Sequence, residues 1–184
     1  MLARARELGD AERVRQLGGL LERLRSLPEF SSAGTVELFA PLQSEPDVFP
    51  LFFELRARGA RVAFPGYHGG PAAPELRLAA DESELSVGEH GFRHPRPGRA
   101  IAVSEVDLFL VPALAFDRRG HRLGRGLGYF DRLLAGRRAG SLAVGVVFSF
   151  GLVDRLPSEL HDRPVDLVAT PEELVDLRRG PQGA

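Results

Sequence analysis

Residues 107-DLFLVPALAFDRRGHRLGRGLGYFDRLLA-135 decide the reading of the fold. The stretch opens on an apolar run, 107-DLFLVP-112, bounded by turn residues. Such a run suits a strand buried on both faces. Glycines at 124, 126 and 128 follow, and a helical segment is expected from about 128 to 138. Further apolar strands are expected at 142-LAVGVVF-148 and 165-VDLVAT-170. Upstream, 36-VELFA-40 and 61-RVAFP-65 read the same way. Between them, residues 47–58 read as a helix with Pro50 in its first turn and Gly59 as its stop. Val14, Leu17, Leu20, Leu21, Leu24 and Leu27 recur at helical spacing, which predicts a helix over 10–27, capped by Asp10 and ended by Pro28. Short strands are expected near 75–79 and 84–87, among the Gly- and Pro-rich stretches 69-GGPAAP-74 and 94-HPRPGR-99, and a last helical turn or two over 171–178. Apolar strands alternating with helices predict an α/β fold, a three-layer sandwich with a mainly parallel central sheet flanked by helices. One domain over 1–184 is expected.

Composition excludes several classes. The chain has no cysteine, hence no disulfide framework and no thiolate metal site. Its formal charge of -1 gives no global attraction to nucleic acid. No apolar run approaches the ~20 residues that span a bilayer, and the N-terminus lacks a signal-peptide core, so a cytoplasmic protein is expected. All 24 basic residues are arginine, so no role can rest on a side-chain amine. The histidines, at 68, 90, 94, 121 and 161, show no metal-ligand spacing.

In parallel sheets, ligands bind beyond the carboxyl ends of the strands, where the glycine loop falls. Closely spaced glycines let backbone amides turn inward around an anion. A helix start near Gly128 adds a positive end, and Arg122 and Arg125 supply planar donors that match phosphate oxygens. Asp131 is an oxygen ligand suited to Mg²⁺. The loop has neither the Walker ending nor the GxGxxG spacing. Residues alone thus point to a phosphate-binding α/β enzyme, with the plain turn-forming reading of the glycines still open.

The stretch 107–135 resembles the signature region of the 5-formyltetrahydrofolate cyclo-ligase family, also called methenyltetrahydrofolate synthetases. The matching parts are Val111-Pro112, Ala115-Phe116-Asp117, Gly120, Arg122-Leu123-Gly124, Gly126, Gly128, Tyr129-Phe130 and Asp131. Residues 156-LPSELHDRPVDLVATPEE-173 and 35-TVELFAPLQSEPDV-48 are similar to further family segments. The resemblance implies that ATP and 5-formyltetrahydrofolate give 5,10-methenyltetrahydrofolate, ADP and phosphate, with Mg²⁺ required. It implies an ATP site of Arg122, Leu123, Gly124, Arg125, Gly126, Leu127, Gly128, Tyr129 and Phe130, with Arg125 offsetting charge on the transferring phosphoryl group. It implies Asp131 and Asp162 as metal ligands and Glu45, with Tyr129, at the folate. The partners are small molecules, and a monomer without nucleic acid or membrane is expected. The alternative is a fold relative that binds a nucleotide or phosphorylated metabolite without the cyclo-ligase reaction.

Two departures from the family pattern stand out. Family members carry basic residues on the first helix that reach ATP; here Arg4 and Arg6 are expected in that role. His94, in 91-GFRHP-95, takes the place of a family glutamate. Plainer roles stay open for several positions. Asp131 could be a helix N-terminal carboxylate, Asp162 a turn or cap residue, Glu45 a cap or flank of the helix starting near 47, and Tyr129 and Phe130 core.

Overall fold

The computed structural model describes residues 1–66, 74–88, 93–95 and 99–178. The chain begins with three helices, α1 (Leu2–Glu7), α2 (Asp10–Arg25) and α3 (Pro28–Ser32). Then come β1 (Thr35–Glu37), α4 (Pro50–Ala57), β2 (Arg61–Gly66), β3 (Glu75–Ala79), β4 (Leu85–Val87), β5 (Arg93–Pro95) and β6 (Ala100–Ile101). The second half holds β7 (Leu108–Pro112), β8 (Ala115–Asp117), β9 (Arg122–Leu123), α5 (Tyr129–Ala135), β10 (Leu142–Val146), β11 (Leu152–Val153), β12 (Leu167–Ala169) and β13 (Leu174–Asp176).

The main sheet has eight strands in the order β13-β12-β10-β7-β1-β2-β3-β6. Its centre, from β12 to β2, is parallel. The antiparallel pairs lie at the edges, β12 with β13, β2 with β3 and β3 with β6. Alternation along each strand sends side chains to two cores. Val36, Val62, Leu108, Leu110 and Val144 pack with α2, α3 and α4 through Leu20, Leu24, Phe30, Leu51, Phe52 and Leu55. Ala63, Phe109, Val111, Ala143 and Val168 pack on the other face with Leu133 and Leu134 of α5 and with Phe116. The three-layer α/β expectation therefore holds.

Several local expectations need correction. Asp10 is the first residue of α2 and not its cap; Gly9 holds that position, and no side chain caps it. Val14 is 69% exposed and Leu17 only half-buried. The core side of this turn instead carries Gln16, whose Oε1 accepts from the Ser149 amide and hydroxyl. Pro28 ends α2 but opens α3, because its missing N–H costs nothing at a first helical turn. Residues 171–178 form no helix. Leu174–Asp176 pair antiparallel with β12, so sheet-edge hydrogen bonding wins over local propensity. The helix expected to reach 138 stops at Ala135, before Gly136. Residues 69–73 and 96–98 of the Gly- and Pro-rich stretches, and 91–92 of the segment 91–95, lie outside the described residues.

β1 carries a polar exception. Glu37 sits between Phe109 and Ala63 in the sheet and is fully buried. Neither carboxyl oxygen has a hydrogen-bond partner among the described residues. Burial pushes its pKa well above the ordinary glutamate value.

Asp117, at the end of β8, is also fully buried but well satisfied. It accepts from the amides of Arg119, His121 and Leu156 and from the Arg119 guanidinium. Burial raises its pKa, but these donors outweigh burial and leave it below the ordinary aspartate value. The carboxylate thus ties the 118–121 turn to the segment that leads into residues 156–163. Asp117→Ala is expected to cost about 3 kcal/mol in chemical denaturation, since it strands buried donors.

Candidate active site

The chain runs from β1 to β2 on one side, then returns to β7 on the other side of β1 and continues outward to β10 and β12. The reversal leaves a crevice at the carboxyl ends of β1 and β7, the usual ligand position in such sheets. A cavity of about 490 Å³ lies there, lined by Glu45 after β1, residues 112–114 at the end of β7, residues 122–131, and Glu159, His161 and Asp162. This volume lies in the range of small-molecule sites.

The glycine loop forms its floor. Gly126 and Gly128 have φ of 81° and 58°, the left-handed region that side chains avoid. Gly128 is also the N-cap of α5. Gly124 differs, because its φ is not in that region and a Cβ there would meet nothing within 4 Å. No fold-stabilising contact asks for glycine at 124, whereas a ligand resting on the backbone would. Gly124→Ala is expected to leave thermal stability within about 0.5 kcal/mol, a size typical of surface changes, while weakening nucleotide binding. Calorimetry on wild type and variant checks both halves; tight binding by Gly124→Ala would deny the loop a cradle role.

Arg122 is almost buried, its side chain 7% exposed. It donates to Asp131 Oδ1 at 2.5 Å and to the Arg163 carbonyl at 2.6 Å. Asp131 Oδ1 also accepts from the Arg163 amide at 3.0 Å. This network clamps the glycine loop to residues 159–163. Burial lowers the Arg122 pKa, and Asp131 opposes that shift. Asp162 accepts from the Glu159 amide at 2.8 Å through Oδ2, so its turn-forming role is real. Asp131 and Asp162 each keep a second carboxyl oxygen outside these bonds.

Arg125 reaches in the other direction. It donates to the Ser44 hydroxyl at 2.9 Å, and its Nε lies 4.0 Å from Glu45 Oε1. Glu45 accepts from the Leu42 amide at 2.9 Å and does not cap α4, where Asp47 accepts from the Phe49 amide. Burial raises the Glu45 pKa, while the Leu42 amide and Arg125 pull it back. Tyr129 and Phe130 both line the cavity and pack against the core, their rings edge-on at 5.5 Å. The Tyr129 hydroxyl donates to the Glu75 carbonyl at 3.0 Å.

Arg4 and Arg6 are not among the cavity-lining residues; Arg4 lies over the Phe150 ring at 5.1 Å. His94 stands in β5 opposite Ser86 and does not line the cavity either. Ser44, Glu159 and Arg163 belong to the site's network without having carried a sequence signal of their own. Sequence spacing between Ser44 and Arg125 could not reveal a contact made only by the sheet order.

The 5-formyltetrahydrofolate cyclo-ligase family model matches residues 1–171. The chain belongs to this family. A cyclo-ligase of Mycolicibacterium smegmatis is 38% identical over 176 residues, 92% of this chain and 87% of that protein. One from Escherichia coli is 32% identical over 156 residues, covering 83% and 86%. The NMR structure of Aquifex aeolicus 5,10-methenyltetrahydrofolate synthetase superposes with a TM-score of 0.85 at 35% identity, covering 100% of this chain and 92% of that one. The Mycoplasma pneumoniae synthetase, at 22% identity and a TM-score of 0.73, shares the fold. Residues 122–131, which carry the resemblance to the cyclo-ligases, are among the residues that line the cavity.

Proposed function

We propose that this chain converts 5-formyltetrahydrofolate to 5,10-methenyltetrahydrofolate, using ATP and Mg²⁺ and releasing ADP and phosphate. The observation that carries the reading is the joining, in one cavity, of the glycine loop with Arg125 to the Glu45 turn. Family membership and the names of the relatives support it. The formyl oxygen attacks the γ-phosphorus of ATP, and ADP leaves. The imidate-type phosphate so formed is attacked at its carbon by N10 of the folate, and phosphate departs as the ring closes. Such a sequence asks for alignment and charge stabilisation rather than a protein nucleophile. The loop amides and Arg125 hold the phosphates, with Arg125 facing the charge that develops on the transferring group. Glu45 accepts hydrogen bonds from the folate ring, and Tyr129 and Phe130 wall the cavity.

Among the described residues no group of three or more His, Cys, Asp or Glu could hold a metal. That fits Mg²⁺ in a nucleotide site, which takes one or two carboxylates together with substrate phosphates and water. Asp131 and Asp162 would hold it, and it would neutralise phosphate charge. Asp131 also pairs with buried Arg122, so Asp131→Ala would disturb the clamp as well as any metal. Asp131→Asn keeps an acceptor for Arg122 and is the cleaner variant. It is expected to raise the Mg²⁺ concentration needed for half-maximal turnover by about tenfold or more, as loss of a metal-supporting group does.

No helix among the described residues is long and apolar enough to cross a membrane. The same reading makes this a cytoplasmic monomer whose partners are its two small substrates. ADP release, measured with and without 5-formyltetrahydrofolate, tests the function. Release that requires the folate supports the reading; release indifferent to it would favour a fold relative acting on another substrate.

A further inference from the structure

Arg125 presents a two-donor edge, Nε and an Nη, that matches a pair of phosphate oxygens. In this structure that edge is engaged with the Ser44–Glu45 turn. The Nη donates to Ser44 Oγ at 2.9 Å, and Nε lies 4.0 Å from Glu45 Oε1. The Nη hydrogen given to Ser44 is one that this edge would otherwise give to a phosphate oxygen.

The turn that receives Arg125 is held independently of it. The Glu45 amide donates to the Leu42 carbonyl at 2.9 Å, and the Leu42 amide returns a bond to the Glu45 carboxylate at 2.9 Å. From the far side Arg13 of α2 donates to the Gln43 carbonyl at 3.3 Å and to the Ala5 carbonyl at 2.6 Å, with its guanidinium 5.3 Å from the Phe148 ring. Ser44 therefore offers Arg125 a fixed hydroxyl on a pinned turn.

We infer that Ser44 is a positioning residue that docks Arg125 against the substrate turn while the nucleotide is absent, so that ATP must draw Arg125 off Ser44 before its phosphates are gripped. This rests on the proposed role of Arg125 at the phosphates. A protein whose competent form is only part of the population binds its ligand more weakly by that fraction. Removing a contact made only in the free state raises affinity. A residue that merely supported the site would lower it. The sign of the change thus separates docking from support. The same movement uncovers the Glu45 carboxylate on its Arg125 side, so nucleotide binding prepares the folate subsite.

The test is equilibrium binding of ATP, without folate, to wild type, Ser44→Ala, Ser44→Thr, Arg125→Ala and the Ser44→Ala/Arg125→Ala double variant. Ser44→Ala is expected to bind ATP about three- to tenfold more tightly, the usual net worth of one hydrogen bond at a partly exposed site. Ser44→Thr keeps the hydroxyl and should bind as wild type does. The gain should vanish in the Arg125→Ala background, because the two residues act as one unit. Unchanged or weaker binding by Ser44→Ala, or a gain that survives without Arg125, would overturn the inference alone. Wild type that binds no ATP would instead bring down the phosphate reading on which it rests.

Discussion

Arg125→Ala is expected to lower kcat/KM for methenyl-product formation by about 10²- to 10³-fold, the usual cost of deleting one donor aimed at developing transition-state charge. Its side chain is partly exposed and, among the described residues, hydrogen-bonds to Ser44 with Glu45 nearby, so the variant should fold normally. The neighbouring arginine gives the contrast. Arg122 is spent on Asp131 and the Arg163 carbonyl, and its loss should appear first as lower stability. Steady-state kinetics with thermal denaturation on both variants separates a chemical role from a clamping role. An Arg125→Ala enzyme with wild-type kcat/KM would remove Arg125 from the mechanism.

The second large effect concerns Glu37, outside the site. A buried carboxyl without partners favours its neutral form. The folded pKa is therefore raised above the unfolded value near 4.5. Below that value both states are protonated, and the group adds no pH dependence. Above it the unfolded chain releases a proton that the folded chain retains, so stability falls as pH rises towards the folded pKa, by about 1.4 kcal/mol per pH unit. Glu37→Leu fills similar space without the polar group. It is expected to gain about 2–4 kcal/mol at neutral pH, roughly 5–10 °C in Tm for a chain of this size. The gain should shrink at pH 5. Denaturation of both proteins at pH 5 and pH 8 checks this. A gain equal at both pH values would mean that Glu37 is not the titrating group.

The layers were legible because the central strands, such as 108–112 and 142–146, are apolar along their length and turn-bounded. The clustering of the signature loop in one cavity was legible too, since glycine, arginine and aspartate types mark it without reference to contacts. What the sequence hid depends on distant partners. β13 forms because β12 offers an open edge, which no local pattern in 171–178 reports. Val14 lies at a helical position but faces solvent, since the core side of α2 begins with Gln16 and Leu20. Asp131 reads as a free carboxylate until Arg122, nine residues earlier, is seen to pair with it. Glu37 reads as one polar residue in a short strand, and only the pairing of β1 between β2 and β7 buries it.

The most direct test of the central claim is the near-ultraviolet absorbance of the methenyl product when purified protein meets 5-formyltetrahydrofolate, ATP and Mg²⁺. The account predicts a rise that requires all three additions and is slowed about 10²- to 10³-fold in Arg125→Ala. No rise from folded protein that binds ATP would contradict it, leaving the glycine loop as a phosphate site that serves some other acceptor.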